Sequence, residues 1–242
     1  MSELKSFLHT VQIGNTLINC QLSGNTNTET IVFLHGNGED LLIFDPQIRY
    51  FSQYYKTVAI DTRGHGQSTR GTAPLNFYTF TNDLIAVFDA LKIDQAHIVG
   101  FSDGAITALH TALIAPERIL SMVLLGANCN TKGIRLMPRL QILLVYMWLS
   151  AASLFSAKIR KQKEIWGLMV NHPNLTLTEI TRINLPTLIV TGEHDLVSQR
   201  QNDKISQAIA GSERLIIPND SHFWMFKQPE TLNQIIKDFL QK

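Results

Sequence analysis

Ser102 stands between two glycines in the stretch VGFSDGA, residues 99–105. A serine hydroxyl is a weak nucleophile at neutral pH, so it needs a base, an acid that orients the base, and donors for an oxyanion. A strand that turns at once into a helix can lift such a serine above a sheet, provided that positions 100 and 104 carry almost no side chain. Gly100 and Gly104 meet that condition, with an apolar run before them and a helical pattern after them. The pattern therefore predicts a nucleophile at Ser102.

A base and an acid follow two later apolar runs. His222 closes the sequence NDSH after the run at 215–217, and Asp195 closes TGEHD after the run at 187–190. Glu193 is a second choice for the acid, whereas the run at 122–125 is followed by GAN, without a carboxylate. The order Ser102, Asp195, His222 is the one expected for the nucleophile-elbow fold. We therefore predict a catalytic triad of these three residues.

Donors for an oxyanion are expected from two backbone amides. The sequence HGNG at 35–38 follows an apolar run, and its glycines allow an amide to face the site. The start of the helix after Ser102 adds an amide and a favourable dipole. We assign the N–H groups of Asn37 and Asp103 to this role.

Alternating strands and helices are needed to bring these residues together. Short apolar, β-branched runs suited to buried strands alternate with amphipathic helical patterns, and Gly14-Asn15 marks an opening hairpin. This alternation predicts an α/β fold: a mostly parallel, twisted sheet of about eight strands with helices on both faces. The predicted strands lie at residues 6–13, 17–22, 30–34, 57–60, 97–99, 122–125, 187–190 and 215–217.

Composition narrows the class of protein. The 242 residues are 45% hydrophobic and 17% charged, with a net charge of +1, which is typical of a globular chain and gives no reason to expect a nucleic-acid partner. Cys20 and Cys129 form neither a zinc motif nor a disulfide framework. The N-terminal residues lack the pattern of a signal peptide, so we expect a cytoplasmic protein.

The alternation fails at residues 128–183, which we interpret as a helical lid inserted into a core formed by residues 1–127 and 184–242. Residues 140–157 carry no charge, but they contain Gln141 and three serines and lie between halves of one sheet. This favours a buried or pocket-lining helix over a membrane span. We expect Met147 and Trp148 to contact the substrate, with plain packing on the sheet as the alternative. An apolar lid also allows a homodimer or contact with a membrane surface.

Five motifs in order resemble those of the α/β-hydrolase fold superfamily: HGNG at 35–38, DTRGHGQS at 61–68, GFSDG at 100–104, GEHD at 192–195 and SH at 221–222. The resemblance covers nearly the whole chain. It implies that residues 61–68 shape a turn near the site, that His65 is a scaffold residue, and that no cofactor or metal takes part.

The stretch GFSDGAITAL with the later GAN is similar to the valacyclovir hydrolase (biphenyl hydrolase-like) group of serine esterases. That resemblance implies that Asp103 holds a substrate ammonium; the alternative is that its carboxylate pairs with an internal donor. We therefore expect a serine hydrolase of a small carboxylic ester, including an α-amino acid ester. A lactonase, thioesterase, C–C hydrolase, iminopeptidase or ligand-binding protein on the same scaffold remains open.

Overall fold

Eight strands form one sheet in the computed structural model, which describes residues 6–25 and 28–242. The strands are β1 Phe7–Ile13, β2 Thr16–Ser23, β3 Thr30–Leu34, β4 Lys56–Ile60, β5 Ala96–Phe101, β6 Ile119–Leu125, β7 Thr187–His194 and β8 Glu213–Ser221. Along the sheet the order is β1-β2-β4-β3-β5-β6-β7-β8, with β1 and β2 antiparallel to their neighbours and the other pairs parallel.

Helices cover both faces of this sheet. Alternate side chains of β3 enter two separate buried clusters, because successive residues of a strand face opposite sides. Within the described ranges the α-helices are α1 Asp45–Phe51, α2 Phe77–Ala90, α3 Asp103–Ile114, α4 Leu136–Ala152, α5 Ala157–Asn171, α6 Leu177–Ile180, α7 Gln199–Ala208, α8 Trp224–Lys227 and α9 Pro229–Leu240. Val32 and Leu34 belong to a cluster that includes residues of α2, α3 and α7, whereas Ile31 and Phe33 belong to one that includes residues of α1 and α9.

The predicted fold class is confirmed, and the strand predictions fall on the observed strands. The largest difference is at β8, which continues past the predicted residues 215–217 as far as Ser221. Asn219 has φ of 57° within this strand, and its N–H donates to a carboxylate oxygen of Glu193 at 2.8 Å. β8 ends at Ser221, directly before His222.

Residues 128–183 leave the sheet after β6 and return before β7, and they contain α4, α5 and α6. α4 and α5 pack against each other. The two ends of the insertion are held together where Leu175 N–H donates to Cys129 O at 2.9 Å and Asn130 pairs with Asn174. In the described part of the chain, no helix has the length and apolar character needed to cross a bilayer.

Candidate active site

Ser102 lies at a sharp turn between β5 and α3. Its φ of 51° and ψ of −111° place it in a backbone conformation that residues other than glycine rarely adopt. The two flanking glycines are required by space: a Cβ on Gly100 would stand 2.5 Å from the backbone of Gly104, and one on Gly104 would stand 2.0 Å from Leu34 O. Ser102 N–H donates to Leu125 O at 2.8 Å, which fixes the turn to β6.

His222 and Asp195 are joined by a short hydrogen bond. His222 Nδ1 lies 2.7 Å from Asp195 Oδ1, and both side chains are buried. Asp195 Oδ1 also accepts the N–H of Val197 at 2.9 Å, so the carboxylate is held by its own loop. Since a carboxylate accepts, Nδ1 carries the proton, and Nε2 is left as the basic nitrogen.

The imidazole of His222 is also fixed by packing. Its ring centroid lies 4.9 Å from that of Phe101 and 5.2 Å from that of Phe223. On another side is Gly126, whose φ is +65°; a Cβ added there would stand only 2.4 Å from His222 Cε1. The glycine of the GAN sequence therefore leaves the space that the imidazole occupies.

Ser102 and His222 line one cavity of about 40 Å³. Ligand pockets for small molecules usually measure about 300 to 1,000 Å³, so this cavity holds at most a few waters. Side chains from the insertion form part of its wall. The full lining is Ser102, Asp103, Ile106, Asn128, Ile134, Ile142, Met169, His172, Pro173, Leu196, Val197 and His222.

The loop that carries Asn37 is held beside this cavity by a network of hydrogen bonds. The preceding His35 accepts the N–H of Thr62 on Nε2 at 3.0 Å, and its Nδ1 lies 2.7 Å from Gly36 O. Because Nε2 accepts an N–H, the ring is neutral and acts as a structural link, and burial lowers the pKa of His35 in the same sense. Within the described ranges, the N–H groups of Asn37 and Asp103 donate to no protein acceptor.

Asp103 pairs with an internal donor. Asn37 Nδ2 lies 2.9 Å from Asp103 Oδ2 and donates as well to Ile165 O, on α5, at 2.9 Å. Burial raises the pKa of Asp103 to about 6, against the lowering effect of the Asn37 hydrogen bond and of His222. An internal partner for this carboxylate, one of the two roles that the sequence leaves open, is therefore present.

Glu39 is a neighbour of the site that the sequence did not single out. Its carboxylate accepts the N–H of Gly36 at 3.0 Å. Burial raises the pKa of Glu39 to about 7, and the nearby Asp103 carboxylate adds to this, while the Gly36 hydrogen bond and His222 act in the opposite sense. Glu39 is thus a partly buried acid within electrostatic range of His222.

Met147 and Trp148, which were expected to contact substrate, do not line the cavity beside Ser102. Both side chains are 63% exposed and lie on the outer face of α4. The apolar residues that α4 and α5 do contribute to the cavity are Ile142 and Met169. α4 is apolar on both faces, so the spacing of its residues could not indicate which face turns inward.

Residues 61–68 form the predicted structural turn. The carboxylate of Asp61 accepts from Asn19 Nδ2, Leu41 N and Gln67 N. Gly66, with φ of 49°, passes so close that a Cβ would meet this carboxylate at 2.3 Å. Burial lowers the pKa of His65 to about 4, as is typical of a packed scaffold residue rather than a second base.

Comparison with known proteins identifies the family. The model of the alpha/beta hydrolase fold matches residues 29–156, which is more than half of the chain. A full-length relative is 3-oxoadipate enol-lactonase 1 of Acinetobacter baylyi, 27% identical over 267 residues, covering 100% of this chain and 99% of that protein. Human serine hydrolase BPHL is 28% identical over 230 residues, covering 85% of this chain and 76% of its own.

Solved structures agree with this fold. The enol-lactonase from Burkholderia xenovorans superposes with a TM-score of 0.79 at 22% identity, covering 97% of this chain and all of that one. The carboxylesterase CesB (YbfK) from Bacillus subtilis gives a TM-score of 0.81 at 21% identity, covering 98% of this chain and 92% of that one. At such identities the likeness is evidence for the fold. Together with the matched family model, it shows that the chain belongs to the α/β-hydrolase fold family.

Proposed function

We propose that this protein is a serine hydrolase that cleaves a small carboxylic ester through an acyl-enzyme intermediate. The observation that carries the proposal is the buried hydrogen bond between His222 Nδ1 and Asp195 Oδ1, 2.7 Å apart. The His222 side chain lines the same cavity as Ser102. This hydrogen bond leaves the second nitrogen of the imidazole as the candidate base for a serine that lies on a strained turn and lines the same cavity. Membership of a hydrolase family supports the same reaction class.

In the proposed reaction, Ser102 Oγ attacks the ester carbonyl while His222 Nε2 takes the hydroxyl proton. Asp195 keeps the imidazole in the required tautomer and stabilises the imidazolium. The tetrahedral oxyanion accepts hydrogen bonds from the N–H groups of Asn37 and Asp103, the latter at the positive end of α3. Collapse of the intermediate breaks the ester bond, and His222 returns its proton to the leaving alcohol.

Water completes the cycle by the same route. His222 removes a proton from a water molecule, which attacks the acyl carbonyl, and the second tetrahedral intermediate releases the acid and restores Ser102 Oγ–H. No metal or organic cofactor is required for any of these proton transfers.

We further propose that residues 128–183 act as a lid. The cavity of about 40 Å³ is too small for an ester substrate, and residues of the insertion close it. Two polar contacts tie α5 to the core: Asn37 Nδ2 to Ile165 O at 2.9 Å, and Arg70 Nε to Glu164 Oε2 at 2.6 Å. Substrate entry would require α5 to move away from these contacts.

Among ester substrates, a neutral acyl group fits better than an aminoacyl group, because the Asp103 carboxylate is already paired with Asn37. A lactone is the second candidate substrate. It is a cyclic ester open to the same attack, and the enol-lactonase of A. baylyi matches this chain over almost its whole length. We also propose that the protein acts in the cytoplasm.

The proposal is tested by hydrolysis of short-chain nitrophenyl esters and of a lactone panel by the parent and by Ser102→Ala. We expect the variant to lose at least about a thousandfold in kcat while its melting temperature is unchanged. Activity that survives the substitution would remove Ser102 from its role. A folded parent that turns over none of these substrates would instead favour a ligand-binding protein on the same scaffold.

A further inference from the structure

The outer face of α4 is apolar from Leu136 to Trp148, with Gln141 as the exception. Large hydrophobic side chains recur there at intervals of three and four residues, which is the spacing of one helix face. Their exposed fractions run from 44% at Leu140 to 70% at Met137, and the turn after α4 adds Leu154 at 77% and Phe155 at 90%. We call this set the apolar face: Leu136, Met137, Leu140, Leu144, Met147, Trp148, Leu154 and Phe155.

Packing among the residues that the structure describes does not account for the apolar face. The opposite side of α4 packs on the protein through Leu149, which is buried, and through Ile142, which lines the cavity. A helix that lies on a folded protein normally turns polar residues to water. Gln141 is the polar exception on the outer side of α4, so the helix has a second apolar surface that meets no partner among residues 6–25 and 28–242.

Positive charge is concentrated in the same insertion. Residues 128–183 hold eight lysines and arginines and two glutamates, a net charge of +6, so the remainder of the chain carries −5. The basic residues flank the apolar face: Arg135 is exposed directly before α4, and Lys158 and Lys161 are exposed three and six residues after Phe155. The apolar face is therefore bordered by cations at both ends.

We propose that the apolar face docks on an anionic lipid surface. Helices that lie in a bilayer interface combine an apolar face with basic residues that meet anionic headgroups, and Trp and Phe are common at that depth. A second copy of this chain is a poorer fit, because pairing two apolar faces would bring together two insertions of charge +6. Since no described helix can cross a bilayer, α4 would lie along the surface.

Docking would bring the wall of the catalytic cavity to the lipid surface, because α4 contributes Ile142 to that wall from its opposite side. The binding itself needs no catalysis. Ser102→Ala should therefore bind vesicles as tightly as the parent, which keeps this proposal separate from the proposed hydrolase activity.

The test is co-sedimentation of the full chain with vesicles of phosphatidylcholine alone and of phosphatidylcholine mixed equally with phosphatidylglycerol. We expect binding to the mixed vesicles that weakens as salt is added. The double variant Trp148→Ser and Phe155→Ser should bind at least about tenfold more weakly. Lys158→Gln with Lys161→Gln should reduce the preference for the anionic vesicles.

Matched controls come from exposed aromatic residues outside the insertion. Tyr54 and Tyr78 are 60% and 61% exposed, so Tyr54→Ser and Tyr78→Ser remove similar surface elsewhere and should leave vesicle binding unchanged. Equal binding by the Trp148→Ser, Phe155→Ser variant, or no binding by the parent, would overturn the proposal. So would a stable dimer that this double variant dissociates, in a protein that ignores vesicles; the occupant would then be a second copy.

Discussion

Substitution of Gly126 by alanine should disturb the geometry of the candidate triad while all three of its residues stay unchanged. A Cβ at this position would stand 2.4 Å from His222 Cε1 and 2.7 Å from Nδ1, whereas ordinary van der Waals contact begins at 3.4 Å. The imidazole, held on its other sides by Phe101 and Asp195, must then shift by about 1 Å. A displacement of that size at a catalytic group costs about 100-fold in rate, or about 2.7 kcal/mol in the transition state.

The same substitution also carries a cost that has nothing to do with His222. Gly126 has φ of +65°, where an alanine is strained by about 1 to 2 kcal/mol. Gly211 provides the matched control, because it has φ of +72° and no heavy atom within 4 Å of an added Cβ. Gly211→Ala therefore pays the backbone strain alone.

The assay is kcat/KM for a nitrophenyl ester together with the melting temperature of each variant. We expect both variants to be destabilised, Gly126→Ala by more because it must also displace the buried imidazole, and only Gly126→Ala to lose about 100-fold in kcat/KM. A folded Gly126→Ala protein with kcat/KM within about threefold of the parent would show that the position of His222 does not control turnover.

Three further substitutions test other parts of the site. Asp195→Asn keeps an acceptor for Val197 N–H but removes the negative charge that faces His222 Nδ1, so kcat should fall about 10⁴-fold with the fold intact; a loss under tenfold would contradict the orienting role. Asp103→Asn should change kcat/KM for aminoacyl and neutral esters of matched size by the same factor, and a selective loss on the aminoacyl ester would restore the ammonium anchor. Glu39→Gln should raise stability near pH 8 and have little effect near pH 5. In the folded chain the pKa of Glu39 is raised from 4.5 to about 7, so stability is lost as the pH rises through that window. Because Glu39 is only partly buried, we expect a gain of about 1 kcal/mol, measured by denaturant titration at both pH values; a gain that is equal at both would refute the cause assigned to the shift.

Ser102, Asp195 and His222 could be predicted from the sequence because each follows a strand. Runs of apolar, β-branched residues identify such strands without a structure. Parallel strands share a carboxyl edge, so residues far apart in the chain meet there. The same logic placed the loop of Asn37 beside Ser102.

The sequence could not predict contacts that depend on which way a side chain turns. α4 is apolar on both faces, so the spacing that identified it as a helix gave no indication that Met147 and Trp148 face outward. The partner of Asp103 is Asn37, 66 residues away, and that pairing exists only once β3 and β5 are neighbours. The sequence also gave no indication that Glu39 is partly buried beside the site, since its burial results from the turn at Gly36.

The central claim is that Ser102 is a nucleophile activated by His222. Reaction with a fluorophosphonate, followed by mass spectrometry of the labelled peptide, tests it most directly because the reagent needs an activated serine but no particular substrate. We expect one adduct, on Ser102, that is absent from Ser102→Ala and much slower to form in His222→Ala. An adduct on another serine, or no adduct on the folded parent, would contradict the account.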